Sequence, residues 1–418
     1  MFDRLFQNPC VLARQRNGPL AAERRRYLAH CAEQQMSRRT LRSIARYTLI
    51  AAKALRLAER PGELVTRAEV EAEVDRWLAR RSRRSTTRQI RLLGVDFTGH
   101  VIRWLTFLGR LQPTAPVQQP YANEVAQFTD YMLRERGLSP QTVGYRCRAI
   151  RQFLAEVDEA DLRLDQLAVA QLDELLARKI RDNGYARTTI QTLVSALRPF
   201  FRFAEQHGWC RPKLAAAIMA PRVYRHEGLP IGPSWDDVKR LLAAAGGDRP
   251  TDIRDRALLM LLAIYGLRAG EVTALCLQDF DWEREMLNVP RGKSRRPRTY
   301  PLCRPVGDAV LRYLREVRPR SDRRQVFLTL VAPFRPLAAA SLGRAVYRRL
   351  RVLGLILPHY GAHVLRHACA SHLLSQGLSL KEIGDHLGHR SPDATRIYAK
   401  VDLTALRAVG DVDLEGLR

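Results

Sequence analysis

Apolar positions along this chain recur mainly at helical spacing. After Ser37, residues Leu41, Ile44, Thr48, Ala52 and Leu55 form one stripe, while Arg38, Arg39, Arg42 and Arg46 lie largely off it. That pattern predicts a Ser37-capped helix with a basic outer face. Thr66 and Glu69 have capping-box spacing ahead of Val70, Val74, Trp77 and Leu78, and Val101 to Leu111 predicts a further helix. Gln112 to Pro120 carries three prolines in nine residues and reads as a linker. Helical periodicity resumes up to about Trp209, with starts at Ser139-Pro140 and Thr188. Arg211 to Gly232 is irregular and basic, with prolines at 212, 221 and 230, and suits a hinge.

A second folded unit is predicted from Trp235 onward. Asp252 to Leu267 is rich in Leu and Ala and reads as a buried helix, running into Gly266-Leu267-Arg268-Ala269-Gly270-Glu271. Arg268 and Glu271 are three apart on a helical turn, so the carboxylate is placed to orient the guanidinium. Met286 to Val289 alternates, and a basic return ends at Thr299-Tyr300-Pro301-Leu302. This predicts a β-hairpin with Gly292-Lys293 at its tip. Val306 to Arg318 and Leu337 to Leu353 are predicted helices, and Val326 to Leu328 a short strand.

The stretch His363 to Tyr398 has the densest candidate chemistry. On its first helix, His363, Arg366, His367 and Ala370 share one side, and Leu365, Cys369, His372 and Leu373 the other. The first side presents an imidazole and a guanidinium one turn apart. The second is apolar enough to face a core, with His372 on it. His367 and His386 are read as structural. Ser379 and Glu382 form another capping box, Gly388 stops that helix, and His389 lies just past the stop. Ser391-Pro392 restarts a helix in which Tyr398 sits about two turns along.

Charge narrows the class of partner. The 418 residues hold 70 Lys and Arg against 43 Asp and Glu, a formal net charge of +27. Such a surplus favours a polyanion, most simply nucleic acid. The length accommodates two or three domains. The seven cysteines are scattered without a C-x-x-C pair, which points to reduced thiols in the cytoplasm. No apolar run reaches the roughly 18 residues of a membrane span, and the first residues lack a signal-peptide pattern. His363 and His367 have i, i+4 spacing, but His372 points away and no glutamate follows His363, so no metal site is expected.

Three pieces together carry a resemblance: H-x-L-R-H at His363 to His367, L-G-H at Leu387 to His389, and a tyrosine nine positions later. They resemble the catalytic domain of the tyrosine recombinase (phage integrase) family. The resemblance extends over about residues 118 to 410, and Arg268 with Glu271 is similar to the family's first arginine motif. It implies a mainly α fold: a basic helical N-terminal or accessory domain (1–112), a helical core-binding domain (118–212), a mostly helical catalytic domain with a small antiparallel sheet (226–410) and a tail (411–418). The tail region's Leu403, Leu406, Val409, Val412, Leu414 and Leu417 suit docking on a neighbouring protomer or on the chain's own domain.

The catalytic set implied is Arg268, Lys293, His363, Arg366, His389 and Tyr398, supported by Glu271. Two guanidiniums clamp the charge that builds on a phosphodiester in transit, which needs neither metal nor other cofactor. Tyr398 is the nucleophile, activated from a reference pKa near 10. His363 is placed to take its proton, His389 to hydrogen-bond the phosphate, and Lys293 to protonate the departing 5′-oxygen. DNA-backbone candidates are Arg146, Arg148, Arg151, Arg187, Arg198, Arg295, Arg296 and Arg298. The expected function is site-specific exchange of double-stranded DNA through a 3′-phosphotyrosyl intermediate, by a homo-tetramer on two sites, as a nucleoid-associated integrase or transposase of a mobile element that works alone or with other recombinases or accessory proteins. The alternatives are a type IB topoisomerase-like enzyme and a catalytically silent DNA-binding accessory protein.

Overall fold

The computed structural model describes residues 1–80, 87–113, 120–222, 232–290, 297–389 and 391–401. It divides into two compact units: Pro113–Glu227, and Met1–Gln112 together with Gly228–Arg418. Among the described residues, no helix is long and apolar enough to cross a membrane.

Residues 1–112 gather a core of their own around Leu28, Ile44, Ala45, Val101, Trp104 and Leu105. Ser37 caps the Arg38–Ala54 helix by accepting from the Thr40 amide at 3.1 Å. The predicted stripe on that helix is buried, but Tyr47, Leu49 and Ala51 are buried beside it. The Thr66–Glu69 capping box forms in both directions. The last helix here runs over Thr87–Phe107, much earlier than the predicted start at Val101. Residues 81–86, within the densely basic run Arg80 to Arg91, and most of the proline-rich linker lie outside the described residues.

The Pro113–Glu227 unit is a helical bundle of Ala122–Arg134, Pro140–Glu159, Val169–Arg181 and Arg187–Gln206, closed by the short Leu214–Ala217 helix. Ser139 and Pro140 start the second helix as predicted, Ser139 Oγ accepting from the Thr142 amide at 3.2 Å. The fourth starts at Arg187, one residue before Thr188, and carries Pro199 inside it. Phe128, Ile150, Phe153, Leu154, Phe200 and Phe201 fill the centre.

In the remaining stretch, the Pro250–Ile264 helix is buried on nearly every side, from Ile253 to Ala263. It stops two residues before Gly266, whose backbone takes a left-handed φ of 58°. The predicted hairpin is present: β2 (Met286–Val289) pairs antiparallel with β3 (Arg298–Pro301), Leu287 opposite Tyr300. A third strand, β1 (Phe280–Asp281), adds to β2. It is two residues long, too short to leave a period in the sequence. The hairpin tip lies outside the described residues. Val326 to Leu328 forms no strand of this sheet. The backbone there makes isolated bridges at Cys276–Gln325 and Leu328–Pro336. The helix predicted to Arg318 is α-helical over Arg304–Arg312 and widens to a π turn over Tyr313–Val317.

The Ala362–Ser375 helix departs most from its sequence reading. A core face opposite a polar face was expected, yet Val364, Leu365, Arg366, Ala368, Cys369 and Ala370 are all buried. The helix is wedged between two cores. Val364, Leu365 and Ala368 pack into the large central cluster. Cys369 and Ala370 pack with Ile383, Leu387 and Tyr398 in a smaller one. His372 is not a core residue: it is half-buried and stacks on Trp235, ring centroids 3.8 Å apart.

Candidate active site

The site is assembled around the C-terminal end of the Leu380–Leu387 helix. Ser379 and Glu382 cap its start as predicted. At its other end Gly388 turns left-handed at φ 65°. The His389 amide then reaches back to the Gly384 carbonyl at 2.9 Å, and the Gly388 amide to that of Asp385 at 3.1 Å. This glycine stop satisfies the earlier carbonyls and leaves those of His386, Leu387 and Gly388 pointing onward with no helical partner.

Three arginines meet those carbonyls. Arg366 donates to Leu387 at 2.7 Å and to the Gly266 carbonyl. Arg298 donates to Leu387 at 2.7 Å and His386 at 3.3 Å. Arg268 reaches Gly388 at 3.4 Å. Cations are favoured at a helix C-terminus, where the macrodipole is negative. Residues more than a hundred positions apart are thereby fixed against one another.

Glu271 holds two of these cations. Its carboxylate accepts from the Arg268 amide and guanidinium, both at 2.9 Å, and pairs with Arg298 at 2.8 Å. The expected Arg268–Glu271 contact is therefore made, with Arg268 at the cap of the Ala269–Ala274 helix and Glu271 three residues in. Burial pushes the Glu271 carboxyl up, but the Arg268 amide and the Arg298 charge outweigh it and hold it below its ordinary value. Arg298 is a correction to the sequence reading. Its place in a basic run suggests a DNA-backbone contact, but its side chain is only 12% exposed and committed to Glu271, Tyr300 and the helix end. A strand places it pointing inward, which its position in a basic run concealed.

Arg366 is the most deeply placed of the three arginines, 1% exposed. Burial first, then the Arg268 charge, lowers its pKa to about 10, which leaves the guanidinium charged at neutral pH. His363 keeps solvent access at the surface, while burial of part of the ring and the Arg366 and Arg268 charges depress its pKa. His389 falls to about 4 through burial, then Arg366 and Arg268. Its Nδ1 lies 2.7 Å from Thr395 Oγ1, itself buried. The sequence reading had overlooked Thr395. Its only signal was its place six residues past His389.

Tyr398 is 1% exposed. The Pro-started helix is α-helical only over Asp393–Arg396 and tightens to a 3-10 turn over Ile397–Val401, which carries the tyrosine. Burial raises the phenol to about 12, with Arg366 opposing. Its oxygen lies 2.9 Å from His367 Nδ1. Sequence reasoning gave the proton-accepting place to His363 and called His367 structural. Among the described residues it is His367 that reaches the phenol, and His363 packs edge-on against His367, centroids 4.6 Å apart. The signal available was the second histidine of H-x-L-R-H.

Lys293, Arg295 and Arg296 lie outside the described residues. In the Pro113–Glu227 unit, Arg148, Arg151 and Arg187 are exposed and Arg146 is half-buried. Arg198 is a second correction. Its Nε and NH2 both donate to the Ile218 carbonyl, at 3.0 and 2.7 Å, so it ties two chain segments together and is not free for a phosphate.

A mainly helical fold that gathers Arg268, Arg366, His389 and a tyrosine about one helix end defines a site-specific DNA recombinase of the tyrosine type. The chain belongs to the phage integrase family. The phage integrase family model matches residues 234–404 and the phage integrase N-terminal SAM-like domain matches residues 125–208. A putative integrase/recombinase, y4rA, of Sinorhizobium fredii is 38% identical, over 68% of this chain and 69% of its own length. The tyrosine recombinase XerC of Mycobacterium leprae is 31% identical over 68% of this chain and 96% of its own. Among solved structures, the XerH site-specific recombinase bound to palindromic difH substrate shares the fold at 19% identity and a TM-score of 0.51, covering 69% of this chain and 84% of that one. The Tn1549 transposon integrase in complex with a circular intermediate DNA matches equally, at 19% and 0.51, over 69% and 98%.

Proposed function

We propose that this recombinase cuts and rejoins double-stranded DNA through a 3′-phosphotyrosyl intermediate, with Tyr398 as the nucleophile. Arg268 and Arg366 clamp the non-bridging phosphate oxygens, His363 and His389 donate hydrogen bonds to them, and Lys293 protonates the departing 5′-oxygen. Charge spread over a phosphoryl group in transit is stabilised by fixed cations and donors. The tyrosyl ester keeps the bond energy, so a 5′-hydroxyl from another strand reseals the backbone. The observation that carries this reading is the shared helix end. Arg366 and Arg268 bond carbonyls at that end, His389 lies just past it, and Tyr398 meets His367 on the same helix as Arg366.

The domain roles follow. Residues 118–212 grip the duplex, with Arg148, Arg151 and Arg187 toward phosphates. Residues 226–410 carry the chemistry, and residues 1–112 supply accessory binding. The working assembly is a homo-tetramer on two DNA sites, with the apolar positions from Leu403 to Leu417 linking protomers. The relative named integrase/recombinase supports the role of a mobile-element integrase or transposase, acting in the cytoplasm on the nucleoid.

The test is a nicked suicide duplex carrying the element ends, incubated with the protein in EDTA and run on a denaturing gel. A covalent protein–DNA band that disappears in Tyr398→Phe is expected. A band that survives Tyr398→Phe refutes the nucleophile, and no wild-type band despite tight DNA binding favours an accessory protein.

A further inference from the structure

We propose that His367 is the general base for Tyr398, a role that rests on Tyr398 being the nucleophile. The phenol oxygen and His367 Nδ1 are 2.9 Å apart, direct hydrogen-bond distance. With Nδ1 accepting the phenol proton, Nε2 carries the ring's own proton, and the imidazole is in the form a base requires.

The surroundings hold the imidazole in that place and in that form. His367 follows Arg366 on a helix buried between two cores, so its backbone is fixed. Gly232 crosses the same turn so closely that a Cβ there would lie 3.2 Å from the His367 Cβ and 2.8 Å from the Val364 carbonyl. His363 closes the ring's other side. The titratable and charged groups facing it are His363, Arg366 and Tyr398. Burial first, then His363 and Arg366, holds its pKa at about 4, so the ring is neutral across the physiological range.

A neutral imidazole beside a phenol raised to about 12 leaves the proton on oxygen at rest. The proton moves as the phosphodiester arrives. The Tyr398 oxygen bonds to phosphorus while its proton passes to Nδ1. The P–O5′ bond breaks, and the leaving oxygen takes a proton from the general acid, for which Lys293 is proposed. The negative phosphoryl group beside it then stabilises the imidazolium. In resealing the steps reverse: the 5′-hydroxyl attacks and gives its proton back to the general acid, the P–O bond to Tyr398 breaks, and His367 returns its proton to the departing phenolate. One residue thus serves both half-reactions without any net change in protonation.

Single-turnover cleavage of the nicked suicide duplex tests this with wild type, His367→Ala, His367→Asn and Tyr398→Phe, after DNA binding by each variant is confirmed. Asparagine keeps an acceptor close to the Nδ1 position but is not basic. The expected result is a loss of about 10²- to 10⁴-fold in both His367 variants, the range for a general base. The His367→Ala rate should rise with added imidazole and with pH, while wild type stays flat between pH 6 and 8. Two outcomes overturn the proposal: His367→Asn cleaving within threefold of wild type, or a His367→Ala defect that neither imidazole nor higher pH relieves. The Tyr398→Phe variant tests the nucleophile separately. If Tyr398→Phe still forms the adduct, the nucleophile is wrong. If it does not, and the His367 variants cleave normally, only the base is wrong.

Discussion

Glu271→Ala is expected to loosen the active site before any DNA is bound. The carboxylate is 5% exposed, accepts two hydrogen bonds from Arg268 and forms an ion pair with Arg298. Arg298 is itself 12% exposed, so removing Glu271 leaves a buried guanidinium without its counter-charge. Breaking a buried pair from one side costs about 3–5 kcal/mol. Arg298 retains the Leu387 and His386 carbonyls, which places the expected cost at the lower end, about 3 kcal/mol. Glu271→Gln keeps the shape and an acceptor but loses the charge, and is expected to cost about 1–3 kcal/mol. Because the chain holds two compact units, a global melting curve would blur the effect. Native-state hydrogen exchange on peptides spanning 262–275 and 380–390 reads the local opening free energy directly. Arg298→Met in the Glu271→Ala background should restore part of the loss, since it removes the stranded charge. The sign with pH follows from the depressed carboxyl. Its stabilisation is complete above the unfolded value, near 4.3, and disappears as pH falls through the lower folded one. Protection should therefore be flat from pH 7 to 5 and fall only in strong acid. A Glu271→Ala loss below about 1 kcal/mol, or no rescue by Arg298→Met, would refute the view that this carboxylate neutralises buried charge.

Arg148→Ala and Arg151→Ala should each lower the slope of log affinity against log salt by about 1, as loss of one phosphate contact does. Arg198→Ala and Arg298→Ala should leave that slope unchanged and lower stability, which chemical denaturation checks. Thr395→Val removes the partner of His389 Nδ1. It should cost about 1 kcal/mol in stability and slow single-turnover cleavage with DNA affinity intact. Gly388→Ala would place a Cβ 2.8 Å from the Arg298 guanidinium at a φ of 65°. It is expected to destabilise by about 1–3 kcal/mol and to raise exchange at the helix end, read by the same peptides.

Local signals in the sequence survived folding well. The Ser37, Ser139 and Ser379 caps, the Thr66 box and the Gly388 stop are each decided by a few neighbouring backbone groups, so their spacing is enough. The candidates His363, Arg366 and His389 were legible because they fall within one short stretch, and Arg268 because Glu271 follows it by three. What escaped depends on partners distant in the chain. Arg298 and Arg198 resemble any exposed arginine in a basic stretch until a carboxylate 27 positions away or a carbonyl 20 positions away claims them. The Ala362–Ser375 helix read as two-faced because histidine and arginine look polar. Arg366 is buried by bonds to residues 100 positions earlier and 21 later, which no helical period records.

The same dependence explains how a site with so much positive charge stays folded. Arg268, Arg298 and Arg366 converge with one carboxylate among them, an arrangement that repels itself unless other groups share the charge. The carbonyls left over at the helix end supply that share. They do so without satisfying every donor, because Arg268, the least buried of the three at 29% exposure, makes only a long 3.4 Å contact there. A phosphate oxygen is a stronger acceptor than that carbonyl. Of the two arginines proposed to clamp phosphate, Arg268 is thus the one with donors to spare, while Arg366 and Arg298 are tied more closely to the helix end.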